Sequence, residues 1–127
     1  MTENEISRVV VDACYKIHVA LGPGLLESVY QRVLAYELRR RNVVVAEQVA
    51  IPIVFEGLEF EEGFRADIIV EDCVIIEIKS IEKIAAVHKK QLLTYLRLTG
   101  CRLGLLINFG EALIKDGITR VINGTLD

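Results

Sequence analysis

The sequence predicts an α/β domain in which helices pack on a β-sheet, with elements in the order ααβββ(β)αβββ. Three observations carry this prediction. Apolar residues recur at helical spacing through the first forty residues, strand-like apolar runs fill residues 43–77, and a third helical stripe is followed by another buried strand. The 127 residues, 52% of them hydrophobic, are enough for one domain over residues 1–127 with a core of its own.

The first forty residues predict two amphipathic helices. Thr2 and Glu5 form the S/T-x-x-E pattern of a capping box at the start of the first helix. The Gly-Pro-Gly segment at residues 22–24 ends that helix, because glycine and proline interrupt helical structure. The second helix begins near Leu25 and ends at the arginines of residues 39–41, whose positive charge is favourable at a helix C-terminus.

Residues 43–77 predict a series of β-strands. Alternating apolar residues are followed by a Glu-Gly turn and a return strand, and Pro52 indicates that the first strand is an edge strand or contains a bulge. A second hairpin follows directly. The predicted strands of this region are residues 49–55, 58–64, 66–70 and 73–78.

The last third of the chain predicts one helix and three strands. The helix covers residues 84–98 and is ended by Gly100. The apolar run of residues 102–108 predicts a buried strand. An Asp-Gly turn then predicts a hairpin between residues 113–115 and 118–122.

Composition excludes several classes of protein. No apolar run approaches the roughly 18 residues that cross a bilayer, so we expect no membrane segment. The first five residues contain two acids and no base, unlike a signal peptide, so we expect a cytoplasmic protein. Cys14, Cys73 and Cys101 lack the spacing of zinc ligands, and we expect them to be small buried residues in a reducing compartment.

The charges are distributed unevenly along the chain, although the net charge is only −3. Residues 46–79 contain nine acidic and two basic residues, whereas residues 79–102 contain six basic residues and one acidic residue. An acidic metal-binding region beside a basic phosphate-binding surface would give this pattern. An ordinary solvated surface would give it as well.

Two carboxylates and a lysine are the main candidate site residues of the strand region. Glu77 and Lys79 are two residues apart on a predicted strand and therefore face the same side, and Asp67 lies on the preceding strand. Carboxylates on adjacent strands, about 4.8 Å apart, repel each other unless a cation neutralises them. Hard oxygen ligands favour Mg²⁺, with Mn²⁺ as a substitute, and the carbonyl of Ile78 could be a further ligand.

Lys79 would be the catalytic group beside this metal site. It could hold the attacking water, favour hydroxide, or stabilise the charge of a phosphorane-like transition state. The alternative is that Lys79 only forms a cross-strand ion pair with Asp67 or Glu77, which the short Glu-x-Lys motif alone does not exclude.

Polar residues on two predicted helices favour the site over the ion pair. Glu27 lies in the first turn of the second helix and could be a third metal ligand, or simply an exposed acid at a helix N-terminus. On the third helix, Gln91 and Tyr95 share one face with His88 and could orient the catalytic residues or a substrate phosphate. His88 is more often a surface residue than a ligand, and we expect His18 to be structural.

These residues, in their order along the chain, resemble the motifs of a known family. The elements are Gly24-x-x-Glu27-x-x-Tyr30, Asp67, Glu77-Ile78-Lys79 and Gln91-x-x-x-Tyr95. The pattern resembles the small GxxExxY proteins of the PD-(D/E)XK nuclease superfamily, and its last element resembles the RecB-like exonuclease branch. The likeness covers roughly residues 6–122, with one departure at Ala66, which stands where proline can precede the aspartate.

The resemblance implies a restriction-endonuclease-like core, in which a central mixed β-sheet is flanked by α-helices. The roles that it implies are metal binding by Glu27, Asp67 and Glu77, catalysis by Lys79, and support of catalysis by Gln91 and Tyr95.

The leading hypothesis is therefore a Mg²⁺-dependent nuclease that hydrolyses phosphodiester bonds of DNA, with RNA as another substrate to consider. The alternative is a non-catalytic module that binds nucleic acid or protein and retains the nuclease fold. A chain of 127 residues has little room for insertions that grip DNA, so a homodimer or a partner protein could supply that grip.

Overall fold

The computed structural model describes residues 1–126 and contains a five-stranded sheet with helices against both faces. The elements are α1 (Glu3–Leu21), α2 (Glu27–Arg40), β1 (Val45–Phe55), β2 (Leu58–Val70), β3 (Val74–Lys79), α3 (Ala86–Thr99), β4 (Leu103–Asn108), a 3₁₀ helix (Ile114–Gly117) and β5 (Ile118–Ile122). The predicted α/β class is confirmed. Within the described residues, no helix is both long and apolar enough to cross a membrane.

The predicted element order roughly matches the structure, with two differences in detail. The strands expected at residues 58–64 and 66–70 form one continuous strand, β2. The strand expected at residues 113–115 is replaced by the 3₁₀ helix, in which Ile114 is buried in the core. A Cβ atom added at Gly117 would lie 2.2 Å from the carbonyl oxygen of Asn108, so this segment folds tightly against the end of β4 instead of pairing with β5.

The parallel pair β3 and β4 lies inside the sheet, whose strand order is β1-β2-β3-β4-β5. All other neighbouring strands are antiparallel, which makes the sheet mixed, as expected. Every residue of β4 is buried, because helices cover both faces at this point. The parallel register places the ends of the two strands side by side, with Lys79 beside Asn108.

Two hydrophobic cores cover the two faces of the sheet. Helices α1 and α2 pack on one face, where they contact Ile76 and Ile78 of β3. Helix α3 packs on the other face, where Leu92 belongs to the same core as Ile75. Because side chains alternate along a strand, Glu77 and Lys79 lie on the α3 face with Ile75.

Strands β1 and β2 each exchange faces at one position, which means that the alternation of their side chains between the two sides of the sheet is shifted there by one residue. The residues that show this exchange are Val45 and Ile68, which pack in the α1–α2 core, and Val49 and Ala66, which pack in the α3 core. Strict alternation would place Val45 with Val49, and Ala66 with Ile68. The two exchanges occur opposite each other in the ladder, at Gln48 and Asp67. Gln48 has a φ of 49°, which lies outside the β region.

The distal half of the β1–β2 hairpin is exposed to solvent over residues 54–63. It carries apolar side chains such as Phe55 and Phe60 together with four glutamates. This half of the hairpin therefore contributes little to either core.

The three cysteines are free thiols. Cys14 is buried in the α1–α2 core, whereas Cys73 and Cys101 are half-buried. Burial raises the pKa of the Cys14 and Cys73 thiols, which keeps both of them neutral and poorly reactive.

Candidate active site

Asp67 and Glu77 meet where the β2–β3 ladder ends. The ladder pairs Ile68 with Ile76, so Asp67 and Glu77 occupy the next position outward, and no further pair forms beyond Ile68 in β2. The carboxylate of Asp67 takes the place of a strand partner there: the Ile78 N–H donates to Asp67 Oδ2 at 2.8 Å. The Asp67 N–H in turn lies 3.4 Å from Glu77 Oε1. The sequence prediction that these two carboxylates lie together is thus matched by the geometry.

The environment of Glu77 disfavours its negative charge. Burial, and next the charge of Asp67, raise the pKa of Glu77 to about 8. Lys79 acts in the opposite direction but is the weakest of the influences on this pKa. Without a bound cation, the uncharged form of Glu77 is therefore favoured, and a divalent cation would relieve the repulsion between the two carboxylates.

Lys79 is half-buried at the end of β3, on the same sheet face as Glu77. Its carbonyl oxygen accepts a hydrogen bond from the Phe109 N–H at 2.9 Å, which fixes the end of the strand. Among the ion pairs of residues 1–126, none joins Lys79 to Asp67 or Glu77. The structure therefore does not contain the cross-strand ion pair that was the alternative explanation of the Glu-x-Lys motif.

Glu27 is held at the N-terminus of α2 by the loop that precedes it. Gly24 adopts a φ of 105°, which favours glycine, and α2 begins at Glu27 rather than at Leu25 as expected. The buried Tyr30 hydroxyl donates to the Gly22 carbonyl oxygen at 2.5 Å and accepts from the Leu25 N–H at 3.2 Å. The Gly-x-x-Glu-x-x-Tyr motif thus combines a turn, a carboxylate and a tyrosine that ties the turn to the helix.

Ser80 connects this loop to the end of β3. The Ser80 N–H donates to Glu27 Oε2 at 3.2 Å, and the Ser80 hydroxyl donates to the Leu25 carbonyl oxygen at 2.6 Å. Glu27 therefore lies near the end of β3, because its partner Ser80 directly follows that strand and is three residues beyond Glu77 in sequence. Within residues 1–126, no group of three or more His, Cys, Asp or Glu side chains is placed to hold a metal ion, so Glu27 is not brought into the Asp67–Glu77 pair.

A cleft of about 690 Å³ opens between the N-terminus of α2 and the point where β1 and β2 exchange faces. Glu27, Asp67 and Ser80 line it, together with two residues that sequence reasoning missed, Gln31 and Gln48. Gln31 could have been noticed, because it lies four residues after Glu27 and therefore on the same side of α2. Gln48 gave no local signal.

Tyr95 approaches the carboxylate pair from α3, whereas Gln91 does not. The Tyr95 ring stacks on Phe64, with ring centroids 3.8 Å apart. Burial, followed by the charges of Glu77 and Asp67, raises the pKa of the Tyr95 hydroxyl. Gln91 is exposed one turn earlier, and no hydrogen bond within the described residues involves its side chain.

Both histidines have structural partners. His88 Nδ1 accepts a hydrogen bond from the Ala85 N–H at 3.0 Å and so caps the start of α3. His18 is buried, and its Nε2 lies 2.9 Å from the carbonyl oxygen of Glu111.

The acidic and basic runs of the sequence lie on different parts of the molecule. Four of the nine acids of residues 46–79 lie on the exposed distal hairpin: Glu56, Glu59, Glu61 and Glu62. The basic residues of the third helix and the loop before it are exposed: Lys83, Lys89, Lys90 and Arg97. The acidic run is therefore not a single metal-binding region, because these four acids lie on the distal hairpin, away from the carboxylate pair.

Comparison with known proteins gives one family. The family model of the PD-(D/E)XK nuclease superfamily matches residues 4–121, which include every candidate site residue. The mixed sheet with its flanking helices is consistent with the restriction-endonuclease-like fold that the resemblance implied. No curated protein and no solved structure matches the chain.

Proposed function

Since the chain belongs to the PD-(D/E)XK nuclease superfamily, we propose that it is a Mg²⁺-dependent nuclease that hydrolyses phosphodiester bonds of DNA. The observation that carries this proposal is the carboxylate pair at the end of the β2–β3 ladder, with Lys79 on the same face of the sheet. Within the superfamily, the motifs of α2 and α3 support the proposal that the chain is a GxxExxY protein of the RecB-like branch.

The donor set fits a hard divalent cation. Asp67, Glu77 and the carbonyl of Ile78 offer oxygen ligands, and Mg²⁺, or Mn²⁺ in its place, prefers oxygen. The raised pKa of Glu77 supports this assignment. Burial and the neighbouring Asp67 disfavour a second negative charge at this position, and a bound cation would offset that repulsion. Glu27 would act as a third carboxylate from the opposite wall of the cleft, where it now accepts a hydrogen bond from the Ser80 N–H.

A bound cation would supply Lewis-acid chemistry and lower the pKa of a coordinated water. The ammonium of Lys79 would orient the attacking water and stabilise the negative charge that develops on the phosphate oxygens. Tyr95 would orient Glu77 through its hydroxyl, and Gln91 would contact the substrate from the exposed side of α3. The exposed lysines of this helix would bind the phosphate backbone, and a homodimer or a partner protein would extend that surface.

Cleavage of labelled DNA tests the proposal directly. Single-stranded and double-stranded DNA, with RNA in parallel, are incubated with Mg²⁺ or Mn²⁺ and the wild-type protein, Lys79→Ala or Asp67→Ala. We expect each substitution to reduce the rate about 100-fold or more, which is the usual cost of removing a group that stabilises developing charge. Lys115→Ala is the matched control, because Lys115 is exposed on the 3₁₀ helix, and it should retain wild-type activity.

Equal residual cleavage by all four proteins would identify a contaminant and contradict the proposal. Titration calorimetry with Mn²⁺, with and without DNA, separates the nuclease from a non-catalytic module. Binding of DNA without any binding of Mn²⁺ would favour the module.

A further inference from the structure

Gln48 has a strained backbone at the position where β1 exchanges faces, away from either end of the strand. Its φ of 49° lies in the left-handed region, which costs a non-glycine residue on the order of 1–3 kcal/mol. The residue is exposed and lies far from the hairpin turn at Glu56 and Gly57, so no turn requires this conformation. Strain of this kind persists where the surrounding structure imposes it, commonly at functional sites.

The strained backbone places the Gln48 side chain between α2 and the carboxylate pair. Its amide nitrogen lies 3.3 Å from Asp67 Oδ1 and also donates to Gln31 Oε1. Because the Ile78 N–H already occupies Asp67 Oδ2, the contact with Gln48 leaves both carboxylate oxygens of Asp67 with a fixed partner. The orientation of the Asp67 carboxylate is thereby determined.

A chain of hydrogen bonds fixes the orientation of the Gln48 amide. Arg39 donates to Glu47 Oε2 at 2.9 Å, and the Gln31 amide nitrogen lies 3.3 Å from Glu47 Oε1. A carboxylate only accepts hydrogen bonds, so Gln31 must direct its NH₂ group to Glu47 and its carbonyl oxygen to Gln48. Gln48 must then direct its own NH₂ group to Gln31 and Asp67. Gln31 is only 8% exposed, whereas Gln48 and Arg39 at the two ends of this chain are exposed to solvent.

We propose that Gln48 is a positioning residue that holds the Asp67 carboxylate in its metal-binding orientation, with Gln31 holding Gln48 in turn. This inference rests on the proposed function, because it assigns Asp67 as a metal ligand. The strained backbone at Gln48 would then lower stability but orient the Asp67 carboxylate before a metal binds, because hydrogen-bond partners fix the orientation of a metal-binding carboxylate.

Replacing Gln48 with glycine separates a positioning role from a structural one. Glycine adopts positive φ without strain, so Gln48→Gly should leave the free energy of unfolding in EDTA unchanged or raise it. The same variant should bind Mn²⁺ about tenfold more weakly in titration calorimetry, within the range seen when a partner of a metal-binding carboxylate is lost. Gln31→Leu should weaken Mn²⁺ binding in the same direction, and the double variant should bind like Gln48→Gly alone, because both changes remove the same contact.

Ala50→Gly is the matched control, two residues further along β1 at an exposed position without positive φ. It should destabilise the protein and leave Mn²⁺ affinity unchanged. If the wild type binds Mn²⁺ and Gln48→Gly binds it equally well, the positioning role is wrong while the proposed function stands. If Gln48→Gly loses stability as Ala50→Gly does and keeps its Mn²⁺ affinity, Gln48 is structural only. If the wild type binds no Mn²⁺ at all, both proposals fail.

Discussion

Glutamates in two regions of the molecule have opposite properties. At the end of the β2–β3 ladder, burial and the neighbouring Asp67 raise the pKa of Glu77 to about 8. On the distal β1–β2 hairpin, Glu62 accepts two hydrogen bonds from the Arg65 guanidinium, and these lower the pKa of Glu62. The first region therefore resists negative charge unless a cation is present, whereas in the second region an arginine and solvent already stabilise the charge.

The difference shows that the acidic run of the sequence contains carboxylates in two different environments. The pair at the ladder end is held by backbone hydrogen bonds and by the Gln48 amide, which fix the orientation of the Asp67 carboxylate. The glutamates of the hairpin are exposed and lie beside exposed apolar side chains, away from both cores. A count of charges cannot separate the two, but a Glu→Gln substitution in each region can.

The largest effect on stability is expected for Glu77→Gln in the absence of metal. Between pH 4.5 and about 8, folded Glu77 keeps its proton while the unfolded chain releases it, so the wild-type free energy of unfolding falls as the pH rises through this window. At about 1.4 kcal/mol for each pH unit, the full fall would be roughly 5 kcal/mol, and partial exposure of the site reduces it to roughly 3 kcal/mol. Glutamine resembles the protonated acid, so the variant should not show this fall.

Urea denaturation in EDTA at pH 5, 7 and 9 measures the effect. We expect Glu77→Gln to match the wild type at pH 5 and to be the more stable protein at pH 9, although it should no longer bind Mn²⁺. Parallel pH profiles of the two proteins would show that Glu77 is not held protonated and that the two regions do not differ as described.

Most of the fold and part of the site could be predicted because they depend on local patterns. The capping box, the helical stripes and the two-residue spacing of Glu77 and Lys79 are all visible in the sequence. The role of Gln48 is not, because it depends on a positive φ that arises where two strands exchange faces. The sequence also does not predict the 3₁₀ helix, because an Asp-Gly pair is typical of a hairpin turn. Only the close contact of Gly117 with Asn108 shows that this segment forms a 3₁₀ helix instead.

A smaller effect is expected for Tyr30→Phe, which tests how far the cleft depends on its buried tether. The lost hydroxyl leaves the Gly22 carbonyl and the Leu25 N–H to solvent, which should cost about 1 kcal/mol of stability. The freed loop directly precedes Glu27 at the start of α2, so DNA cleavage should fall several-fold. Tyr36→Phe is the matched control on the same helix, because Tyr36 is exposed and its hydroxyl should contribute nothing measurable. Equal stability and equal DNA cleavage for Tyr30→Phe and Tyr36→Phe would show that the Tyr30 hydroxyl does not support the site.

The smallest effect is expected for Glu62→Gln, which makes the same chemical change in the exposed region. The ion pair with Arg65 is exposed on both sides, so water and side-chain entropy offset most of its attraction. Because the pKa of Glu62 is lowered, the contribution of the charge is present at neutral pH and is lost as the pH falls through that pKa. Glu62→Gln should therefore be slightly less stable than the wild type at pH 7, and equal to it at pH 3 or in 1 M salt, where the ions screen the pair.

Glu77→Gln should change stability in the opposite direction and respond little to salt, because the effect at Glu77 comes from burial beside a second carboxylate. If Glu62→Gln changed stability as much as Glu77→Gln does, the different environments of the two glutamates would have no consequence, and the distinction between the two regions would be wrong.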